Sequence, residues 1–305
     1  MNFNHPDRVV QSWYPAMRSR GLGRGKARSL DLLRRRIVLY RDAGGQVHAL
    51  DGQCPHLGAD LGHGKVQGTE LRCAYHHWCF GPNGACTRAP FFDAPPARRT
   101  RSYPVYEAWG MIWIFNGPAP LFPGPWEVVG SGARVFRVYT DHLPVHPHLI
   151  TLNGMDACHF SALHPMAQTR APEVSQEDAF RTTLRIGGRP HSRLLRWFIG
   201  SPTDELIGEF TVLGGNISFA TVTYPHTFKV VFATDPTGPA TCRSITFLIF
   251  PRGVRLRPLF ALGVLLAVLP DDRRIFFGLK FQPGFSEHDA CARSFYEQVN
   301  AMATW

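Results

Sequence analysis

A chain of 305 residues is long enough for one large or two ordinary domains with an ample core. With 44% apolar and 18% charged residues it is globular rather than disordered, and its 29 Gly and 25 Pro favour turns and short strands over a helical bundle. The formal charge of +10 would attract a polyanion, but the densest basic stretch, residues 18–36, has no interleaved aromatics and no nucleic-acid module. That argues against nucleic acid as a partner and leaves a solvated surface or a dock for an acidic protein.

In chain order, MNFNHPDRVV lacks a charged n-region followed by an apolar run, so no signal peptide is read and a cytoplasmic location is expected. Ile37 to Arg41 and Val47 to Leu50 read as a hairpin through Asp42-Ala43-Gly44-Gly45. Turns follow at His63-Gly64 and Pro82-Asn83-Gly84, and Tyr103 to Phe115 reads as paired strands split at Gly110. The stretch GPAPLFPGP, residues 117–125, marks a domain boundary, giving domains 10–118 and 119–305. Residues 153–163 are helix-compatible up to Pro165, and 206–281 reads as a larger sheet whose last strand is RRIFFGLKFQP. Residues 286–305 then read as a helix with Ser286 as N-cap and Asp289 in its first turn. The longest apolar run, 259–269, is bracketed by Pro258 and Pro270 and is short of the roughly 20 residues needed to cross a bilayer, so no transmembrane segment is expected.

Seven cysteines, an odd number without an export signal, point to metal binding or burial rather than a disulfide framework. Four metal-capable residues stand as C-x-H and C-x2-H: Cys54 and His56, then Cys73 and His76. Two thiolates and two imidazoles could hold zinc, or a [2Fe-2S] cluster with two cysteines on one iron and two histidines on the other. Zinc knuckles group like ligands, whereas here each loop supplies one of each, which suits the cluster. His77, Cys79 and Cys86 fall outside this pattern and read as a loop histidine and packed thiols. A second group, NGMDACHFSALH, sets Asp156, His159 and His164 in a D-x2-H-x4-H pattern, the makings of a facial triad for non-haem iron(II). In a continuous helix residues five apart diverge by about 140°, so His159 and His164 can share an ion only if the helix is interrupted between them.

On these residues, with SWYPAMRS at 12–19, the chain resembles the terminal oxygenase α-subunits of the Rieske non-haem iron oxygenases, in the branch of aminopyrrolnitrin oxygenase and pheophorbide oxygenase. Respiratory Rieske proteins carry two further cysteines where this chain has Ala59 and Tyr75, so the resemblance is to the oxygenase or ferredoxin type. It implies an α+β fold: an N-terminal all-β Rieske domain and a C-terminal helix-grip, START-like antiparallel sheet domain. It implies Cys54, His56, Cys73 and His76 as cluster ligands and His159 and His164 as ligands of a mononuclear Fe(II). Asp156 then becomes a bridge that hydrogen-bonds His159 and, across a subunit boundary, His76. Asn153 matches a structural asparagine of the motif. The third iron ligand, an aspartate in an ED-like dipeptide of a C-terminal helix, is expected near or beyond Trp305, with Asp289 the first substitute and Glu287 and Glu297 after it. The implied activity is monooxygenation of a hydrophobic aromatic or polycyclic molecule with O2 and electrons from NAD(P)H through a reductase or ferredoxin, in a homotrimer. The alternative is an electron carrier or degenerate oxygenase without a competent mononuclear iron.

Overall fold

A computed structural model describes residues 1–130, 132–164, 166–191, 205–222, 227–252 and 270–305. The apolar run 259–269 and Pro165 lie outside the described residues. The chain divides into two compact units, one of residues 11–121 with Trp305 and one of residues 1–10 with 122–304.

The first unit is built from short strands: β1 (Trp13–Arg18), β2 (Lys26–Leu32), β3 (Arg35–Arg41), β4 (Val47–Asp51), β5 (Lys65–Gln67), β6 (Glu70–Arg72), β7 (Cys79–Phe80), β8 (Cys86–Arg88), β9 (Ser102–Tyr103), β10 (Val105–Ala108) and β11 (Met111–Phe115). They form three antiparallel sheets, ordered β1-β11-β10, β2-β3-β4-β9 and β5-β6-β7-β8. Strand β3 is buried on both faces, with Ile37, Val38, Leu39 and Tyr40 all inaccessible, which is why it reads as an unbroken apolar run. The turn to β4 is closed by Asp42, whose carboxylate accepts the Gln46 N–H at 2.9 Å and bonds His48 Nε2 at 2.8 Å. The β5-β6-β7-β8 sheet carries the second Cys-His loop, and its core joins Val38, Tyr40, Leu61, Leu71, Trp78 and Phe80 to the two cysteines, Cys54 and Cys73. Gly64 is required just before β5, where the chain passes the end of β6, because a Cβ there would lie 2.4 Å from the Arg72 carbonyl oxygen.

The second unit holds a short helix α1 (Pro125–Val129), then β12 (Arg134–Leu143), α2 (Pro147–Met155), α3 (Ala157–Ala162), β13 (Met166–Gln176), β14 (Arg181–Pro190), β15 (Leu206–Leu213), β16 (Ile217–Val222), β17 (Phe228–Gly238) and β18 (Thr241–Phe250). These strands make one seven-stranded antiparallel sheet in the order β12-β18-β17-β16-β15-β14-β13. Leu143, Leu184, Val212 and Cys242 from the sheet share a core with Leu149 and Met155 of α2 and with Phe295 and Val299. The last two belong to the C-terminal helix Ala290–Ala301, whose buried positions Cys291, Ala292, Phe295 and Val299 recur at helical spacing. Ser286 caps the turn before it, accepting the His288 N–H at 3.2 Å, while the Asp289 carboxylate accepts the Ser286 N–H at 2.7 Å.

One expectation is overturned. Residues 273–276, read as the start of a last strand over 273–283, belong to a helical stretch at 270–276. The Ile-Phe-Phe run favours a strand locally, but the tertiary core takes only Phe276 from it and leaves Ile275 and Phe277 exposed, so packing decides the conformation. Among the described residues no helix is long and apolar enough to cross a membrane.

Candidate metal centres

The two Cys-His loops of the first unit are the same turn built twice. In one, the Cys54 N–H bonds the Ala59 carbonyl at 2.8 Å; in the other, the Cys73 N–H bonds the Trp78 carbonyl at 2.8 Å. The fifth residue of each is left-handed, Gly58 at φ +75° and His77 at φ +60°. This repetition apposes like with like. Both cysteines are buried, and burial, with Cys73 beside it, pushes the Cys54 thiol up to about 11. The His56 and His76 rings lie 4.6 Å apart, and His56 stacks flat on Trp78 at 4.4 Å. His56 Nδ1 is buried with no hydrogen-bond partner, the condition of an imidazole nitrogen shaped to ligate. The residues therefore fit a cluster with sulfur at one end and nitrogen at the other. Cys79 and Cys86 sit apart from this pair as buried thiols, Cys79 taking an Arg88 guanidinium hydrogen bond at 3.2 Å.

The second constellation lies in the second unit, where α2 ends and α3 begins. Asp156 forms that junction: its N–H donates to the Asn153 carbonyl, and its carboxylate accepts from the N–H groups of Cys158 at 2.9 Å and His159 at 3.3 Å. The His159 ring is held by the Asp156 main chain, not by its carboxylate as expected, with Nδ1 2.6 Å from the carbonyl oxygen. A carbonyl can only accept, so Nδ1 carries the proton and Nε2 presents its lone pair. Burial holds His159 below its ordinary imidazole value, partly offset by that hydrogen bond, which favours the neutral, ligating form.

Helix α3 stops at Ala162, so His164 is not bound to the helical angle that would separate it from His159. Their rings stand 5.2 Å apart. The third member is Asp272, from the helical residues 270–276: its Oδ1 lies 3.3 Å from His164 Nε2 and 3.7 Å from His159 Nε2. These atoms all fall within 4.8 Å of one another. Both nitrogens of the buried His164 lack a hydrogen-bond partner, and Asn153 Nδ2 donates to Asp272 Oδ1 at 3.1 Å, fixing the carboxylate. Two imidazoles and one carboxylate converging with open directions suit a non-haem iron(II) site.

Asp272 replaces the expectation of a carboxylate near or beyond Trp305. Asp289 is turned to the Ser286 cap and groups with Asp156 and Cys158 instead, and Glu287 and Glu297 are exposed and stand outside the group. Adjacent Asp271 and Asp272 are an acidic dipeptide on a helix, the signal that could have located this ligand. It was hidden because the following residues read as a strand. A shallow, partly open depression lies beside α3, lined by Ala157, Phe160, Met166, Ile186 and Gly188 among others.

Residues 12–104 match the family model of the Rieske [2Fe-2S] domain. The chain carries a Rieske domain. It is 33% identical over 160 residues to the 5,5'-dehydrodivanillate O-demethylase oxygenase subunit of Sphingobium sp. (strain NBRC 103272 / SYK-6), covering 50% of this chain and 38% of that protein. It is 33% identical over 192 residues to the oxygenase component of a 3-ketosteroid-9-alpha-monooxygenase of Rhodococcus rhodochrous, covering 60% and 50%. It is 39% identical over 175 residues to the 4beta-methylsterol monooxygenase of Methylococcus capsulatus (strain ATCC 33009 / NCIMB 11132 / Bath), covering 52% and 47%. The chain thus spans half or less of the length of these relatives. Among solved structures, apo dicamba monooxygenase shares the fold at TM-score 0.68 and 21% identity, over 96% of this chain and 97% of that one. The fold class expected from the sequence, a β Rieske domain followed by a large antiparallel sheet with helices, is the one observed.

Within the Rieske domain, His77 is an exposed non-glycine residue held left-handed, at a cost of about 1 kcal/mol relative to Gly. His77→Gly is therefore expected to raise unfolding stability by about 1 kcal/mol in a denaturant titration of the cluster-loaded protein, with its visible spectrum unchanged. In the other centre, Asn153→Ala removes the donor that fixes Asp272. Iron affinity at that site is expected to fall roughly 10- to 100-fold by chelator competition, with the cluster spectrum untouched.

Proposed function

We propose that this chain is the oxygenase component of a Rieske-type monooxygenase, and that it acts on a hydrophobic aromatic or polycyclic small molecule. In this reading Cys54, His56, Cys73 and His76 hold the [2Fe-2S] cluster, and His159, His164 and Asp272 hold one Fe(II). When bound, these groups supply one-electron transfer and the reductive activation of dioxygen. The observation that carries the reading is the convergence of His159, His164 and Asp272, with both His164 nitrogens buried and without a hydrogen bond, in a chain that also carries a Rieske domain.

The residues' own work follows from the geometry. The Asp156 carbonyl keeps the His159 proton on Nδ1, Asn153 orients Asp272, and the apolar faces of Phe160 and Ile186 beside the centre keep water away and receive apolar substrate. The relatives named above support the chemistry: their names are those of an O-demethylase subunit, a ketosteroid monooxygenase component and a methylsterol monooxygenase. In a homotrimer, electrons reach His159 from His76 of a neighbouring copy by way of Asp156, whose main-chain carbonyl holds the His159 ring. A reductase or ferredoxin is the electron donor. The first unit carries fifteen Lys and Arg against seven Asp and Glu within residues 11–121, so an acidic donor would be drawn to it, with docking weakened by salt.

Iron content decides between this reading and a Rieske electron carrier. Three irons per chain, with two acid-labile sulfides and a red-brown colour, are expected of the oxygenase. Two irons per chain after reconstitution in excess Fe(II) would leave only the carrier.

A further inference from the structure

We infer that Ile275, Phe277 and Leu279 form a surface that seats the protein on an anionic phospholipid bilayer. All three are large apolar side chains exposed to water, at 44%, 57% and 39% of their full area, and they fall within five residues of one another. Such a cluster is costly to leave in water and marks a contact surface. The segment is anchored rather than loose. Phe276 is buried in the core between two of the exposed residues, Phe281 packs on Phe3 at 4.9 Å, and Phe285 packs on Tyr296 at 5.3 Å. The apolar groups therefore project from a fixed frame.

Charge chooses the occupant. Arg274 and Lys280 are exposed among these residues, with no carboxylate partner among the described residues, whereas Arg273, 5.5 Å from the Phe277 ring, is paired with Asp141 at 3.0 Å. Apolar side chains that enter an acyl boundary while long cationic ones reach the headgroups are the pattern of interfacial membrane contact. A second copy of this surface would instead bring Arg274 and Lys280 face to face with their own counterparts. The contact is peripheral, since no described helix spans a bilayer. The patch also follows directly on Asp272, so the bilayer would stand beside the segment that holds the carboxylate. That consequence for a lipid-soluble substrate rests on the oxygenase reading, whereas the contact itself does not.

The test is co-sedimentation of the whole, cluster-loaded chain with phosphatidylcholine vesicles and with vesicles of phosphatidylcholine and phosphatidylglycerol. Binding to the mixed vesicles is expected, weakening as salt rises. The triple variant Ile275→Ser, Phe277→Ser, Leu279→Ser should lower the partition coefficient roughly tenfold or more while keeping the visible spectrum and circular dichroism of the parent. Arg274→Gln with Lys280→Gln should lower it about fivefold per charge. Phe277→Trp should show a blue-shifted emission on the mixed vesicles alone. Failure to bind either vesicle overturns the inference. So does binding that survives the triple variant undiminished, which would move the contact to another basic surface, or a triple variant that changes only the oligomeric state in sedimentation equilibrium. None of these readouts depends on turnover, so they stand or fall apart from the metal centres.

Discussion

Replacing Asp272 by Ala is expected to remove one iron of three and leave the protein red-brown. Asp272 supplies the one carboxylate in contact range of both His164 Nε2 and His159 Nε2 among the described residues. Without it two neutral imidazoles remain, too few charges to hold Fe(II) against water. Oxygenation should fall to background, because no open-sided iron remains, while the paramagnetic signal of the reduced cluster persists. The helical residues 270–276 are pinned by Phe276 in the core, so the variant keeps its fold, and circular dichroism should match the parent. Asp289→Ala is the internal control: its carboxylate caps Ser286 and should leave three irons per chain. Retention of the third iron in Asp272→Ala, with its loss in Asp289→Ala, would reverse the assignment made here.

Replacing Cys73 by Ser is expected to do the opposite, removing two irons and the colour while the mononuclear iron stays. Cys73 is 1% exposed in the core of the first unit, beside Cys54. A hydroxyl there offers a poor ligand, and burial disfavours the Cys54 thiolate that would be left to hold the iron alone. Cluster binding contributes folding free energy, so the first unit should also unfold at lower denaturant. Iron and acid-labile sulfide, measured together, read this out: one iron and no sulfide per chain is the expected result. A retained red-brown chromophore would remove Cys73 from the ligand set. The two variants thus dissociate the centres in opposite directions, a pattern no single-site account reproduces.

Much of the first unit is legible from the residues in order. The β3-β4 hairpin follows from two apolar runs around Asp42-Ala43-Gly44-Gly45, and the Cys-His pairs lie in local turns whose members stand two and three residues apart. Local chemistry of that kind survives folding because few distant contacts oppose it. The doubled histidine becomes intelligible only in three dimensions: His77 occupies the left-handed position that Gly58 fills in the matching loop. Its neighbour His76 faces His56.

In the second unit the spacing of Asp156, His159 and His164 marked the place, while the contacts of Asp156 and the carboxylate nearest the two histidines are visible only in the structure. The Asp156 carboxylate is spent on the N–H groups that open α3, so the main-chain oxygen orients His159. Asp272 stands 108 residues after His164 in the chain, and no local pattern joins them. The stretch after it carries strand-forming Ile and Phe, yet residues 270–276 are helical, with Phe276 buried in the core and Ile275 exposed. Sequence by itself marked which residues can bind metal and gathered them in two places, since ligand chemistry and short-range spacing are properties of the chain. Which carboxylate completes the second centre was decided by tertiary packing, which alone brings residues so far apart within 3.3 Å.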